Sequence, residues 1–213
     1  MEHNYLSYPD EQAYWQTCFA SSLLDQTSWL EAARALRASI DLIESQLAVG
    51  WEALLGFGQR FPLEIKMHAV FLMLCGFAAE NYLKARLVSL NAWNETSIGN
   101  SLPSSLKSHN LRSLANAVGV KLAPEELDLI DRLSEYAVWA GRYPSPVKRD
   151  DLKPRSIGET ENVATYFRGS DLAVARCLLD NLENLVIHGF MSNLRRECRA
   201  FDGITIHEQV RPW

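Results

Sequence analysis

Three groups of polar side chains in this chain have types and spacings that could do chemistry. Glu80 and Lys84 stand four residues apart directly after an uncharged run, so on a helix they share a face and can pair. Ser108, His109 and Asn110, with Arg112 close behind, set a titratable imidazole among hydroxyl, amide and guanidinium groups. Arg142, Tyr143 and Pro144 place a guanidinium beside a phenol ring. A guanidinium binds oxyanions through a planar fork, and an aromatic ring can stack a nucleic-acid base. From residue 141 to 155 the basic residues Arg142, Lys148, Arg149, Lys153 and Arg155 outnumber the acids Asp150 and Asp151, in a chain whose net charge is -5. That local contrast points to phosphate recognition. Each group also has a plainer reading: a helix ion pair, a helix cap and a solvated loop. Arg195, Arg196 and Arg199 form a second basic cluster, read as the cationic end of the last helix.

Other chemistries find little support. The five histidines are scattered, with no HxxxH or HExxH, and no metal site or cofactor is expected. The four cysteines have no CxxC spacing; Cys75 and Cys177 fall in apolar helical patterns and read as structural thiols. There is no Gly-Lys-Ser/Thr phosphate loop and no GxSxG. Gly56 and Gly58 begin like a dinucleotide fingerprint, but Phe61 stands where its last glycine belongs, so the stretch reads as a turn. The net negative charge argues against a protein coated in basic charge for nucleic acid. The opening residues do not read as a secretion signal, and the apolar run 69–79 is too short to span a membrane. A cytoplasmic protein without a membrane segment is therefore expected.

The elements that must position these groups are helical. The run 69–79, AVFLMLCGFAA, would be apolar on every side of a helix, which predicts a buried central helix over 62–90. Before it, Pro9 opens a short helix running to about Leu24, in a segment carrying Tyr5, Tyr8, Tyr14, Trp15 and Phe19. A longer helix follows from Thr27, with Ser28 and Glu31 at capping-box spacing, and ends near Gly50 or Gly56. A short helix over 110–118 comes next, then one from Pro124 to about Gly141, then a long last helix capped by Ser170. Residues 162–167 and 203–207 alternate like strands and are expected to pair. The fold class is all-α: an antiparallel bundle of four to five main helices with a short β-hairpin-like pair toward the C-terminus. Residues 1–27 form an aromatic arm, 28–198 the bundle and 199–213 a tail.

Three fragments, in order, resemble the HEPN superfamily. They are the helix segment 78–85 (AAENYLKA), the segment 109–114 (HNLRSL), and a helix carrying Tyr136 that closes on Arg142-Tyr143-Pro144. The match covers roughly residues 62 to 146. The resemblance implies a small helical bundle, commonly a homodimer, from prokaryotic cytoplasm. Its members are metal-independent endoribonucleases of toxin–antitoxin and antiviral defence systems, or non-cleaving domains that bind nucleotides or accompany a nucleotidyltransferase. The family's RNases carry an Arg followed by His after four to six residues. Here Arg60 and His68, like Arg199 and His207, have seven residues between them and lie away from the motif's place. The resemblance thus implies a nucleotide- or RNA-phosphate-binding domain with Glu80, Lys84, His109, Arg142 and Tyr143 as ligand-binding residues and Tyr136 as a further stacking face. An RNase using His109 and Arg142 as a rearranged pair at a dimer interface is the first alternative. A non-catalytic assembly protein, anchored by the aromatic arm and tail, is the second.

Overall fold

The computed structural model describes residues 11–54, 67–91, 93, 101–143, 150, 155–157, 160–162 and 168–201. They form an all-α bundle around one helix. In chain order the helices are α1 (Glu11–Leu24), α2 (Gln26–Leu54), α3 (His68–Leu90), α4 (Leu111–Val118), α5 (Pro124–Glu135) and α6 (Asp171–Phe201). A single 3-10 turn, Ser104–Lys107, precedes α4, and α5 runs on into a π turn, Tyr136–Ala140. None of the described helices is long and apolar enough to cross a membrane.

Helix α3 is the rod that the uncharged run predicts. Phe71, Leu72, Cys75, Ala78, Ala79, Tyr82, Leu83 and Ala85 are buried around its circumference, and α2, α4, α5 and α6 all pack on it. Small residues set the closest approach: a Cβ on Gly76 would lie 2.8 Å from the Leu133 carbonyl oxygen of α5. Burial pushes the Cys75 thiol far above its ordinary range, as expected of a structural thiol, whereas Cys177 on α6 is exposed. Helices α2 and α6 run antiparallel along α3. Arg34 meets Glu183, Arg37 meets Asp180, and Glu44 meets Arg176, so one sequence rises as the other falls.

Two helix starts differ from expectation in their details. The cap of α2 is Asp25, not Ser28: its carboxylate accepts the Thr27 and Ser28 amides at 2.9 and 3.2 Å and the Ser28 hydroxyl at 2.6 Å. The hydrogen bond from the Ser28 hydroxyl, with the amide bonds, holds the Asp25 carboxyl below its ordinary 3.8. A carboxyl depressed in the folded state adds stability above its unfolded pKa, and that stability is lost as pH falls through the folded value. Asp25→Ala is therefore expected to cost about 1 kcal/mol at neutral pH, with the gap to wild type closing as pH falls below the ordinary 3.8 and through the lowered folded value. Urea unfolding across that range checks it. Asp25→Asn should keep much of the cap without this pH dependence.

At α6, Ser170 accepts the Val174 amide through its backbone carbonyl, while the Asp171 carboxylate takes the Arg168 amide at 2.8 Å. A short hairpin that the sequence pattern did not mark is present before α6. Arg155–Ile157 pairs antiparallel with Thr160–Asn162, and Asn162 sits opposite Arg155. Residues 163–167 and 203–207, the predicted pair, lie outside the described residues, as does 55–66, where the start at Pro62 falls.

Candidate functional site

Glu80 lies on the buried half of α3, and its carboxylate is the hub of the site. The Lys84 ammonium, one turn on, meets Glu80 Oε1 at 2.5 Å, and the Lys84 and Glu80 side chains are only 5% and 10% exposed. His109 reaches the same carboxylate from the loop before α4, with Nδ1 3.1 Å from Oε1 and 3.0 Å from Oε2. An ionised carboxylate only accepts, so Nδ1 carries the proton of this contact and Nε2 stays out of it. The His109 side chain is 60% exposed. On the inner side, Lys84 Nζ lies 5.7 Å from the centre of the Trp29 ring of α2, within cation–π range.

The loop that carries His109 is pinned from both sides. Asn110 caps α4 by accepting the Ser113 amide at 2.8 Å, and its own amide donates to Ser108 Oγ at 3.2 Å. The Leu111 amide donates to Ser134 Oγ on α5 at 3.0 Å. Arg112 forks onto Asp131 with bonds of 2.7 and 2.6 Å, and these bonds hold its guanidinium above its ordinary pKa. The cap expected of His109 is thus supplied by Asn110, which frees the imidazole for Glu80. With α4 locked to α5 and both packed on α3, the backbone that carries His109 is held beside the carboxylate.

Arg142 and Tyr143 follow the π turn. The Arg142 guanidinium carbon lies over the Phe77 ring on α3, 5.5 Å from its centre, and its Nε and Nη2 both donate to the Ala137 carbonyl. Phe77 and Glu80 are three residues apart on one helix and therefore surface neighbours. The structure thus gathers Lys84 and His109 on the Glu80 carboxylate and sets Arg142 against Phe77, one turn before Glu80 on α3. Tyr143 is 53% exposed beside it. Tyr136, the other aromatic considered for stacking, is buried with its ring edge-on to His68, so it offers no face to a base. Burial, with Asp171 adding to it, pushes the Tyr136 phenol up to about 12. Of the basic run, Lys148, Arg149 and Lys153 lie outside the described residues, as do the side chains of Arg195, Arg196 and Arg199.

Sequence reasoning missed the supports. Trp29 is remote in sequence from Lys84, and no local pattern marks it as the ring over that ammonium. Ser134 and Asp131 read as ordinary polar positions of α5. Phe77 reads simply as part of the apolar run. Among the described residues no group of three or more His, Cys, Asp or Glu could hold a metal ion. No protein-family model, no curated protein and no solved structure matches this chain.

Proposed function

We propose that this chain is a HEPN-like domain that binds the phosphates of RNA or of a nucleotide, in a prokaryotic defence or toxin–antitoxin type system. The observation that carries the proposal is the exposed His109 imidazole, held at Nδ1 by a buried Glu80 that Lys84 in turn fixes. A carboxylate-held imidazole presents Nε2 to solvent in one orientation, and Arg142 adds a cation beside Phe77, one turn before Glu80 on α3. Tyr143 supplies an exposed ring on which a base could stack. Glu80 and Lys84 are largely buried, so in this reading they orient the site and Arg142, His109 and Tyr143 meet the ligand. A homodimer or an accompanying nucleotidyltransferase in the cytoplasm belongs to the same proposal and rests on the resemblance alone.

Titration of labelled single-stranded RNA with the pure full chain, at low and moderate salt and with ATP as competitor, tests it. Binding that weakens with salt and yields to ATP is expected. Arg142→Ala should weaken binding about tenfold or more, the scale of one lost charge-assisted bond, while the melting temperature stays near wild type. Wild-type-like binding by that variant removes Arg142 from the site.

A second reading is favoured by the Glu80–His109 contact itself. With Nδ1–H engaged by the carboxylate, a neutral imidazole has Nε2 free to accept a proton, which is what a general base for attack by the RNA 2′-hydroxyl requires. Metal-independent cleavage leaving 2′,3′-cyclic ends, abolished by His109→Ala, would establish that activity. RNA intact after long incubation excludes it and leaves the binding role.

A further inference from the structure

Most arginines whose side chains are described pair with a carboxylate: Arg34, Arg37, Arg112, Arg132, Arg168 and Arg176 each do. Arg142 has no carboxylate partner among the described residues, and the π turn explains where its donors go. The Gly141 amide reaches back five residues to the Tyr136 carbonyl at 3.1 Å, and the Arg142 and Tyr143 amides both donate to the Trp139 carbonyl, at 3.0 and 2.9 Å. A regular α or π continuation would have sent the Gly141 or the Arg142 amide to the Ala137 carbonyl. That carbonyl is left open, and Nε and Nη2 of Arg142 fill it, Nε at 3.2 Å.

The guanidinium is therefore committed on two sides. Its inner edge is on the Ala137 carbonyl, and its central carbon lies over the Phe77 ring, within cation–π range. Nη1 has no hydrogen-bond partner among the described residues, and Arg142 is exposed. What remains on offer is the outer end, Nη1 with the second Nη2 proton, which is a fork for two oxygens of one phosphate.

We infer that Phe77, together with the Ala137 carbonyl that the π turn opens, is a positioning element for Arg142, holding the guanidinium with its outer fork toward a phosphodiester. This rests on the phosphate-binding reading above and adds how the cation is prepared. A long side chain ordered before the ligand arrives loses less entropy on binding than one that must be ordered by it.

The test uses the full chain and labelled single-stranded RNA, with Phe77→Leu and Phe77→Tyr compared with wild type. Leucine keeps an apolar side chain but has no ring face. Phe77→Leu is expected to weaken binding about threefold to tenfold, the scale of a lost cation–π contact, and Phe77→Tyr to stay within about twofold. Both should retain the wild-type salt slope because the charge is still present, whereas Arg142→Ala should reduce it by about one. Equal binding by Phe77→Leu and wild type, or equal weakening by both variants, overturns the role of the ring. An independent reading on wild type, which needs no variant to fold, is hydrogen exchange at the Arg142 Nε–H followed by NMR. Slow exchange in the free protein is expected, and exchange as fast as in free arginine overturns the inference even where RNA binds. Absence of RNA binding by wild type removes the phosphate reading, and the positioning role with it.

Discussion

Arg132→Ala is expected to destabilise the protein by about 3–5 kcal/mol, the range for removing one partner of a buried ion pair. Arg132 lies on α5 with its side chain only 1% exposed, and it forks onto Asp171 with two bonds of 2.7 Å. Its Nη2 also meets Asp128 at 3.0 Å, and Asp128 accepts from Arg168. Truncation would leave the Asp171 carboxylate, 3% exposed, facing Asp128 with no buried cation between them. The same carboxylate closes the first turn of α6 through the Arg168 amide, so the loss reaches the helix start as well. For a chain of this length the change corresponds to a fall in melting temperature of roughly 6–20 °C. Urea unfolding measures it directly, with Arg34→Ala as the control: that arginine's side chain is half exposed, and its pair with Glu183 should be worth under about 1 kcal/mol. Equal effects from the two substitutions would show that the Arg132 network is not sealed from water. Combining Arg132→Met with Asp171→Asn should recover part of the loss, since it removes both charges rather than orphaning one.

Glu80→Ala is the second large effect, and it separates the framework of the site from its contacts with a ligand. Without the carboxylate, the Lys84 ammonium is left in a nearly dry position with the Trp29 ring as the one remaining partner for its charge among the described residues, and His109 loses its only described anchor. A cost of about 3–5 kcal/mol is expected. The double variant Glu80→Leu with Lys84→Met should restore much of that stability while RNA binding stays weak, because His109 is no longer oriented. Chemical denaturation and RNA titration on the same preparations check both halves. A double variant that binds like wild type would mean that the carboxylate serves only to neutralise Lys84. The contrast with Arg142→Ala is useful: that arginine is exposed, and its loss should fall on binding far more than on stability.

Much of this architecture follows from local sequence alone. An uncharged run with apolar residues in every direction has to become a helix with neighbours all round, because any exposed side would present apolar surface to water. Pro124 with Glu126 starts α5 by local chemistry, Glu126 reaching back to the Ala123 amide at 2.8 Å. Asn110 and Gly119 bracket α4 in the same way, the first accepting the Ser113 amide and the second adopting φ +71. The four-residue spacing of Glu80 and Lys84 likewise placed them in reach of each other before any fold was known, since that pairing is a property of one helix.

What only the tertiary structure decided is which charges are buried and who meets whom across helices. Arg132 is the largest fully buried side chain among the described residues, though its residue type argues for water; it is inside because Asp171, thirty-nine positions on, comes to meet it. His109 finds Glu80 across twenty-nine positions, and nothing in the spacing of either segment prescribes that contact. Trp29 over Lys84 and Phe77 under Arg142 are the same kind of fact. Local sequence sets backbone hydrogen bonds and helix faces because their partners are a few residues away. The pairing of a buried charge depends on how whole helices dock, and docking is settled by the summed burial of many side chains at once.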